Sequence, residues 1–239
     1  MNKLAAICLI ASLGCHDPSP NCFKKSGSIE TQVINIEPFQ SITLHENISI
    51  VLDNGPQKVT LSAGSNLISR INFSVINNRL TIQNDNVCNW TRDYGEITVT
   101  ISHPSLEEIE LLGYGSVSSL DTLSFGQLRI ISLDSPSDIY LVVNGTKLSI
   151  SSNNVSNFHL SGYLEELDVG FYYGDGILYA HDLNTRQINI DHRGTNSLHL
   201  HPGESLTGTM QGAGNTIIYY KPLERDVNIL GTGKLIERY

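Results

Sequence analysis

Aromatic residues and charges are both scarce in this chain. Only 7% of the 239 residues are Phe, Trp or Tyr, with a single Trp, and only 16% are charged. There are 15 Lys and Arg against 24 Asp and Glu, a formal net charge of −9. No basic run is longer than Lys24-Lys25. An acidic chain without a basic stripe repels phosphate backbones, which argues against nucleic acid as a general partner. No segment approaches the roughly 18 apolar residues of a membrane-spanning helix. The four cysteines lack metal-type spacing, which argues against zinc. From residue 29 onward there is no helical spacing of apolar residues either.

The N-terminus carries an address. Met1-Asn2-Lys3 is a short positive region, and residues 4–13 form an apolar core of signal-peptide length. Ser12-Leu13-Gly14 then precedes Cys15, in the manner of a bacterial lipobox with Ser where Leu is usual. Residues 1–14 are expected to be a lipoprotein signal peptide, and Cys15 the acylated first residue of the mature chain. Each buried CH₂ of an acyl chain contributes about 0.8 kcal/mol to membrane attachment. Residues 15–28 include Pro18, Pro20 and Gly27 and read as a flexible tether. Cys22 and Cys88 remain for the exported domain. In an oxidising compartment they are expected to pair, stabilising by up to about 4 kcal/mol; two free thiols are the alternative.

Residues 29–239 read as one all-β domain. Period-two alternation recurs at Ile48, Ile50 and Leu52, and again at Ile97, Val99 and Ile101. Asn77-Asn78 marks a hairpin-like turn, and residues 86–95 a polar loop around Cys88, Trp90 and Tyr94. The later half repeats. Gly-x-Gly begins at 113, 174, 212 and 231, close to multiples of ~20 residues. Asp134-Ser135-Pro136, Asn153-Asn154 and the stretch around Gly194 fill the vacant slots. An apolar strand follows each turn. Short strands with a ~20-residue period predict a right-handed parallel β-helix of about seven coils, with more irregular strand pairing in its N-terminal part. Its corner glycines are expected to take positive φ, and Lys234, Glu237 and Arg238 to protect one open end.

Several stretches carry a resemblance over residues 30–238. They are Phe39-Gln40-Ser41-Ile42 with the strand 48–52, Ala63-Gly64-Ser65-Asn66-Leu67, Arg79-Leu80-Thr81-Ile82, and Asn86-Val87-Cys88-Asn89-Trp90. Pro104-Ser105-Leu106-Glu107-Glu108-Ile109, Gly113-Tyr114-Gly115 and the late stretch 211–219 complete the series. In order and spacing, the chain resembles the putative auto-transporter adhesin, head GIN domain family of bacterial envelope lipoproteins. The resemblance implies a right-handed β-helix and a cell-envelope location, with the outer membrane the expected site. It supplies no catalytic motif. The chain departs from the Gly-rich pattern at 133–136 and 152–156, where irregular corners are expected.

The candidate sites each face a plainer reading. The Gly-x-Gly pairs precede strands, so they read as corners and not as phosphate loops. His199 and His201 alternate with Leu198 and Leu200 and should point outward, with His192 and Asp191 in the preceding strand region; solvated surface histidines are the plainer reading, and no metal is expected. Asp168, Asp175, Asp182, Asp191, Arg186 and Arg193 are possible ingredients of a polysaccharide lyase or hydrolase, but no acidic pair repeats at the coil period. Serine catalysis has no nucleophile elbow. The pairs Tyr172-Tyr173 and Tyr219-Tyr220 should each send one ring outward, together with Tyr179. Tyr172, Tyr173 and Tyr220 are therefore the expected binding face for glycan or an envelope protein. The expected function is a non-catalytic, cofactor-free, adhesin-like module on a lipid anchor, with a structural scaffold as the alternative.

Overall fold

The computed structural model describes residues 25–45, 47–86, 95–133 and 135–239. Cys15, Cys22 and Cys88 lie outside the described residues, and so does the expected signal peptide. Among the described residues the chain is built from strands, with one short 3-10 turn at Ile68–Arg70 and no α-helix. Among the described residues no helix is long and apolar enough to cross a membrane.

The strands build a parallel β-solenoid of about six turns. Its regular part comprises β10 (Leu123–Ser132), β11 (Ser137–Asn153), β12 (Asn157–Tyr173), β13 (Ile177–His192) and β14 (Leu198–Met210). β11, β12 and β13 each run around nearly a whole coil, pairing with the next in parallel. Paired residues are about one coil apart: Leu128 faces Leu148, Leu148 faces Leu167, Leu167 faces Ile188 and Ile188 faces Leu206. Each coil has three flat stretches. In β12 they lie near 157–160, 162–166 and 167–171, and are called here the first, second and third faces.

The period-two pattern sends one residue in two inward. On the third face Leu80, Ile42, Ile109, Ile130, Ile150, Val169 and Ile190 stand in one register column, and all are buried. Apolar side chains stacked on like side chains fill the centre, so each coil is covered by the next. The last apolar strand expected from the repeat, β17 (Leu235–Glu237), pairs only with β15 (Thr216–Ile218). It is a partial coil, which brings the number of turns to about six.

The irregular N-terminal part has a definite plan. β2 (Ser41–Leu44) lies between β6 (Arg79–Asn84) and β8 (Glu108–Leu111), and β3 (Ser49–Asp53) lies between β7 (Thr98–Ser102) and β9 (Gly115–Ser119). The first coil in sequence is thus not the first in space. The chain leaves it and forms an antiparallel end: β1 (Ile29–Ile34) on β4 (Lys58–Gly64), β4 on β7, and β5 (Ile71–Ile76) on β6. Asn77 and Asn78, with φ of 51° and 61°, make the hairpin turn between β5 and β6.

The corners correct the expectation about glycine. Gly174 does adopt a left-handed φ of 91°. Gly214 does not; it is required because a Cβ there would overlap the carbonyl oxygen of Asn196 on the preceding coil. Close coil-to-coil approach explains that residue. Where the Gly pattern lapses, buried serines take over. Ser132 Oγ lies 2.6 Å from Ser156 Oγ, Ser135 Oγ lies 2.7 Å from Ser137 Oγ, and Ser137 Oγ donates to the Gly113 carbonyl. These hydroxyls satisfy corner carbonyls that glycine would leave bare. Replacing Gly214 by Ala should therefore destabilise the fold by about 1–3 kcal/mol despite its ordinary backbone angles, as a lowered urea midpoint would show.

Candidate functional site

Strand alternation on the first face sends Tyr140, His159, Tyr179 and His199 outward. Register sets Tyr140 opposite His159, His159 opposite Tyr179, and Tyr179 opposite His199. The rings stack along the solenoid. Successive centroids lie 4.5, 4.7 and 5.2 Å apart, with planes inclined by 13°, 19° and 25°. Tyr219 extends the stack, 5.9 Å from His199, with its hydroxyl 3.0 Å from His199 Nδ1. Partial burial lowers the His199 pKa, and His181 and Arg238 push it the same way. The first four positions follow the coil register, a signal present in the sequence that the reading of isolated histidines and tyrosine pairs missed; Tyr219 stands two residues past Ile217, the register partner of His199.

This geometry decides what the column can offer. Rings stacked on each other cover their own faces. They turn their edges, with hydroxyls and ring nitrogens, to solvent. The column is therefore no platform for stacking a sugar flat.

At the corner between the first and second faces, Tyr163 and Tyr220 line a shallow cleft of about 390 Å³ with Asn184, Arg186, His201 and Glu204. Both tyrosines are exposed, Tyr163 at 43% and Tyr220 at 51%. Tyr220 stacks on His201 at 5.2 Å and 14°. Arg186 is fixed by two carboxylates: Nε donates to Glu204 at 2.8 Å and Nη1 to Glu165 at 3.3 Å. The hydrogen bond to Glu204 is the main reason its pKa is raised. The cleft thus combines aromatic rings with planar polar groups held in place. A larger groove of about 710 Å³ runs past Arg79, Glu108, Phe125, Arg129 and Lys147. Its charges are largely spent on each other, through Arg79 with Glu108 and, beyond its rim, Lys147 with Asp168 at 2.7 Å.

The expected tyrosine face is divided. Tyr220 belongs to the cleft, whereas Tyr172 and Tyr173 end β12 at the corner between the third and first faces. Neither tyrosine pair alternates inward and outward. Phe171 takes the inward place, and a bulge lets pairing jump from Ser152–Phe171 to Asn153–Tyr173, leaving Tyr172 outside the ladder. Its ring folds back over Gly170, and the Arg193 guanidinium lies 5.8 Å from the ring centre. Tyr173 is the more open, at 76%. In the second pair Tyr219 follows buried Ile218 and faces outward, into the stacked column, and Tyr220 is exposed as well because the strand has ended at Ile218.

The histidines and acids do not assemble either. His199 and His201 do point outward, but His192 is buried on the inner side of the third face, beside Phe171. Among the described residues no group of three or more His, Cys, Asp and Glu is arranged to hold a metal. Asp168 pairs with Lys147, Asp191 with Arg193 at 2.8 Å, Asp175 with Thr195, and Asp182 approaches His181 at 3.5 Å. These carboxylates are dispersed over different faces and held by separate partners.

Two outcomes follow. Tyr179 is stacked on both sides, so Tyr179→Ala should cost about 1–3 kcal/mol of stability, measured by urea unfolding, while Tyr173→Ala should cost little. Neither ring nitrogen of His192 meets a side-chain or backbone partner in good geometry. Burial lowers its pKa, offset in part by the nearby backbone of Asn196 and the charge of Asp191. The unfolded chain takes up that proton near pH 6.5 and the folded chain resists it, so stability should fall as pH drops below about 6.5. In His192→Leu the difference in unfolding free energy between pH 7.5 and 5.5 should shrink.

The fold has close counterparts. A crystal structure titled a putative adhesin from Bacteroides fragilis superposes with a TM-score of 0.80 at 18% identity, covering 88% of this chain and 97% of that one. A putative adhesin from Parabacteroides distasonis gives 0.65 at 16% identity, covering 89% and 98%. A putative lipid binding protein from the same species gives 0.63 at 16% identity, covering 90% and 98%. At such identities the likeness establishes the fold. No curated protein matches the chain. Residues 38–222 match the family model described as "Putative auto-transporter adhesin, head GIN domain". The chain therefore belongs to the putative auto-transporter adhesin, head GIN domain family.

Proposed function

We propose that the protein is a non-catalytic, adhesin-like module of the bacterial cell envelope that binds glycan at the Tyr163–Tyr220 cleft. The observation that carries this reading is the pairing of two exposed tyrosines, from different coils, with Arg186, Glu204 and Asn184 between them. A sugar presents an apolar C–H face and a rim of hydroxyls. Ring faces suit the first, and planar groups that hydrogen-bond in pairs suit the second. The separately paired carboxylates speak against the lyase or hydrolase alternative.

The anchor completes the reading. Cleavage before Cys15 and acylation of its thiol would leave residues 15–28 as the link to an outer-membrane surface. Lys25 meets the domain at the antiparallel end, where its carbonyl accepts a hydrogen bond from Asn66. The ladder β1-β4-β7-β3-β9-β11-β12-β13-β14-β15-β17 runs from that end to the other. At ~4.8 Å per strand it would reach about 48 Å from the anchored end. An oxidised Cys22–Cys88 pair is part of the same reading. A lipid cargo inside the solenoid is not favoured. The void beside Phe125 and Leu128 is about 30 Å³, the share of a single water.

The test is a glycan array probed with the full chain in non-ionic detergent. Binding should fall at least tenfold in Tyr163→Ala and in Tyr220→Ala. It should persist in the Tyr172→Ala, Tyr173→Ala double variant, whose rings lie at another corner. Silence across every glycan would sink carbohydrate recognition and leave a protein partner as the reading of this surface.

A further inference from the structure

The stacked column on the first face has a property that the cleft lacks: it is periodic. From Tyr140 to His199 it takes three in-register steps of 4.5–5.2 Å, one per coil, and Tyr219 on the next coil, two residues out of register, adds a fourth at 5.9 Å. Its ring planes lie across the solenoid axis, so each step presents one edge outward, alternately a phenol and an imidazole. Tyr140 is 47% exposed, and the other four rings are half-buried with their edges toward solvent. The outward neighbours are mostly polar. Asp138 and Asn157 flank the column on one side, joined by a hydrogen bond of 3.0 Å, and Ser161, His181 and His201 flank it on the other.

We propose that this row of ring edges binds an extended, neutral, linear polysaccharide lying parallel to the solenoid axis, one sugar residue per coil. Three features select that ligand. An extended chain of 1,4-linked pyranoses advances per residue by close to the coil spacing, so register is kept over several residues. Phenol hydroxyls and imidazole nitrogens both donate and accept hydrogen bonds, as sugar hydroxyls do. The row carries little charge: His199 is held toward its neutral form by burial and by the neighbouring His181 and Arg238. A polyanion would meet no cationic row here, and the net charge of −9 would repel it.

The column also leads to the cleft. Tyr219, its last ring, precedes Tyr220, and His201, stacked on Tyr220, flanks the column. A chain running along the column would deliver its end residue to the corner where the cleft offers open ring faces. The proposal rests on the glycan reading but assigns it a second, separable surface. Ring stacking makes the rings rigid, so hydrogen bonds formed along the row lose little side-chain entropy. Each added sugar gains contacts already in register with those before it.

The decisive variant keeps the stack and removes its edges. In Tyr140→Phe, Tyr179→Phe, Tyr219→Phe the rings remain and the hydroxyls go, so the fold should persist, as an unchanged circular dichroism spectrum would show, with a urea midpoint lowered only by the loss of the hydrogen bond between Tyr219 and His199. Binding of the full chain in non-ionic detergent is measured by calorimetry against a series of neutral β-1,4-linked oligosaccharides from two to seven residues. Affinity should climb with length to about five residues and then level off. The triple Phe variant should lose at least tenfold in affinity for the pentasaccharide and little for the disaccharide. Tyr220→Ala should weaken long and short ligands alike. Equal affinity for all lengths, or a triple Phe variant that binds the pentasaccharide as the native chain does, would overturn the row while leaving the cleft intact. Binding by neither surface would overturn both readings.

Discussion

Parallel pairing between coils, in near-constant register, is the constraint on which the molecule depends. In the coils from β9 onward residues 17 to 22 positions apart lie side by side, as in Thr185–Pro202, Leu198–Thr216, Leu167–Ile188 and Ile139–Val117. A column of Ile and Val therefore forms wherever the coil period meets the inward phase of the strand. A single coil has no interior of its own, so each depends on its neighbours for burial. Differences in coil length are absorbed at corners and bends, where register shifts occur at Ser152/Asn153 and His159/Ser161. The straight stretches keep their phase because a slip of one residue would turn every inward side chain out.

The same register organises the exterior. Tyr140, His159, Tyr179 and His199 stack for the reason that Ile130, Ile150 and Val169 stack: they occupy the same step of successive coils, whereas Tyr219, two residues beyond Ile217, the register partner of His199, reaches the stack by its ring. The periodicity also accounts for the dispersal of Asp168 and Asp191 and for their separate partners. Asp168 and Asp191 stand in neighbouring columns or coils, and each finds its nearest cation beside it, Lys147 and Arg193. A solenoid readily repeats one contact along a line. A compact catalytic constellation needs a departure from repetition, and here the departures at the corners hold tyrosines and serines.

Much of the architecture was legible in residues. The interval between Gly174 and Gly212, the phase of Ile97, Val99 and Ile101, and the Asn77-Asn78 turn all lead to elements that are present. Two readings failed for identifiable reasons. Tyr172 and Tyr173 were expected to alternate, but alternation holds only inside a continuous ladder, and a bulge interrupts it there. His192 was grouped with His199 and His201 by nearness in sequence. A corner lies between them, so one faces the core and the others face solvent. The stacked column could have been found by aligning residues 140, 159, 179 and 199 at the coil period, though not its last ring, Tyr219, which lies two residues off that register.

Local chemistry and spacing by themselves determined the all-β class, the coil length and the inward set, because alternation and repeat length are properties of the chain in one dimension. The tertiary structure alone decided that β2 lies between β6 and β8, that Gly214 answers to a neighbouring carbonyl, and that Tyr163 and Tyr220 share a cleft. Those facts depend on which strands pair and how corners bend. Such choices are settled by long-range hydrogen bonding and packing between residues whose order in sequence does not reveal their distance in space.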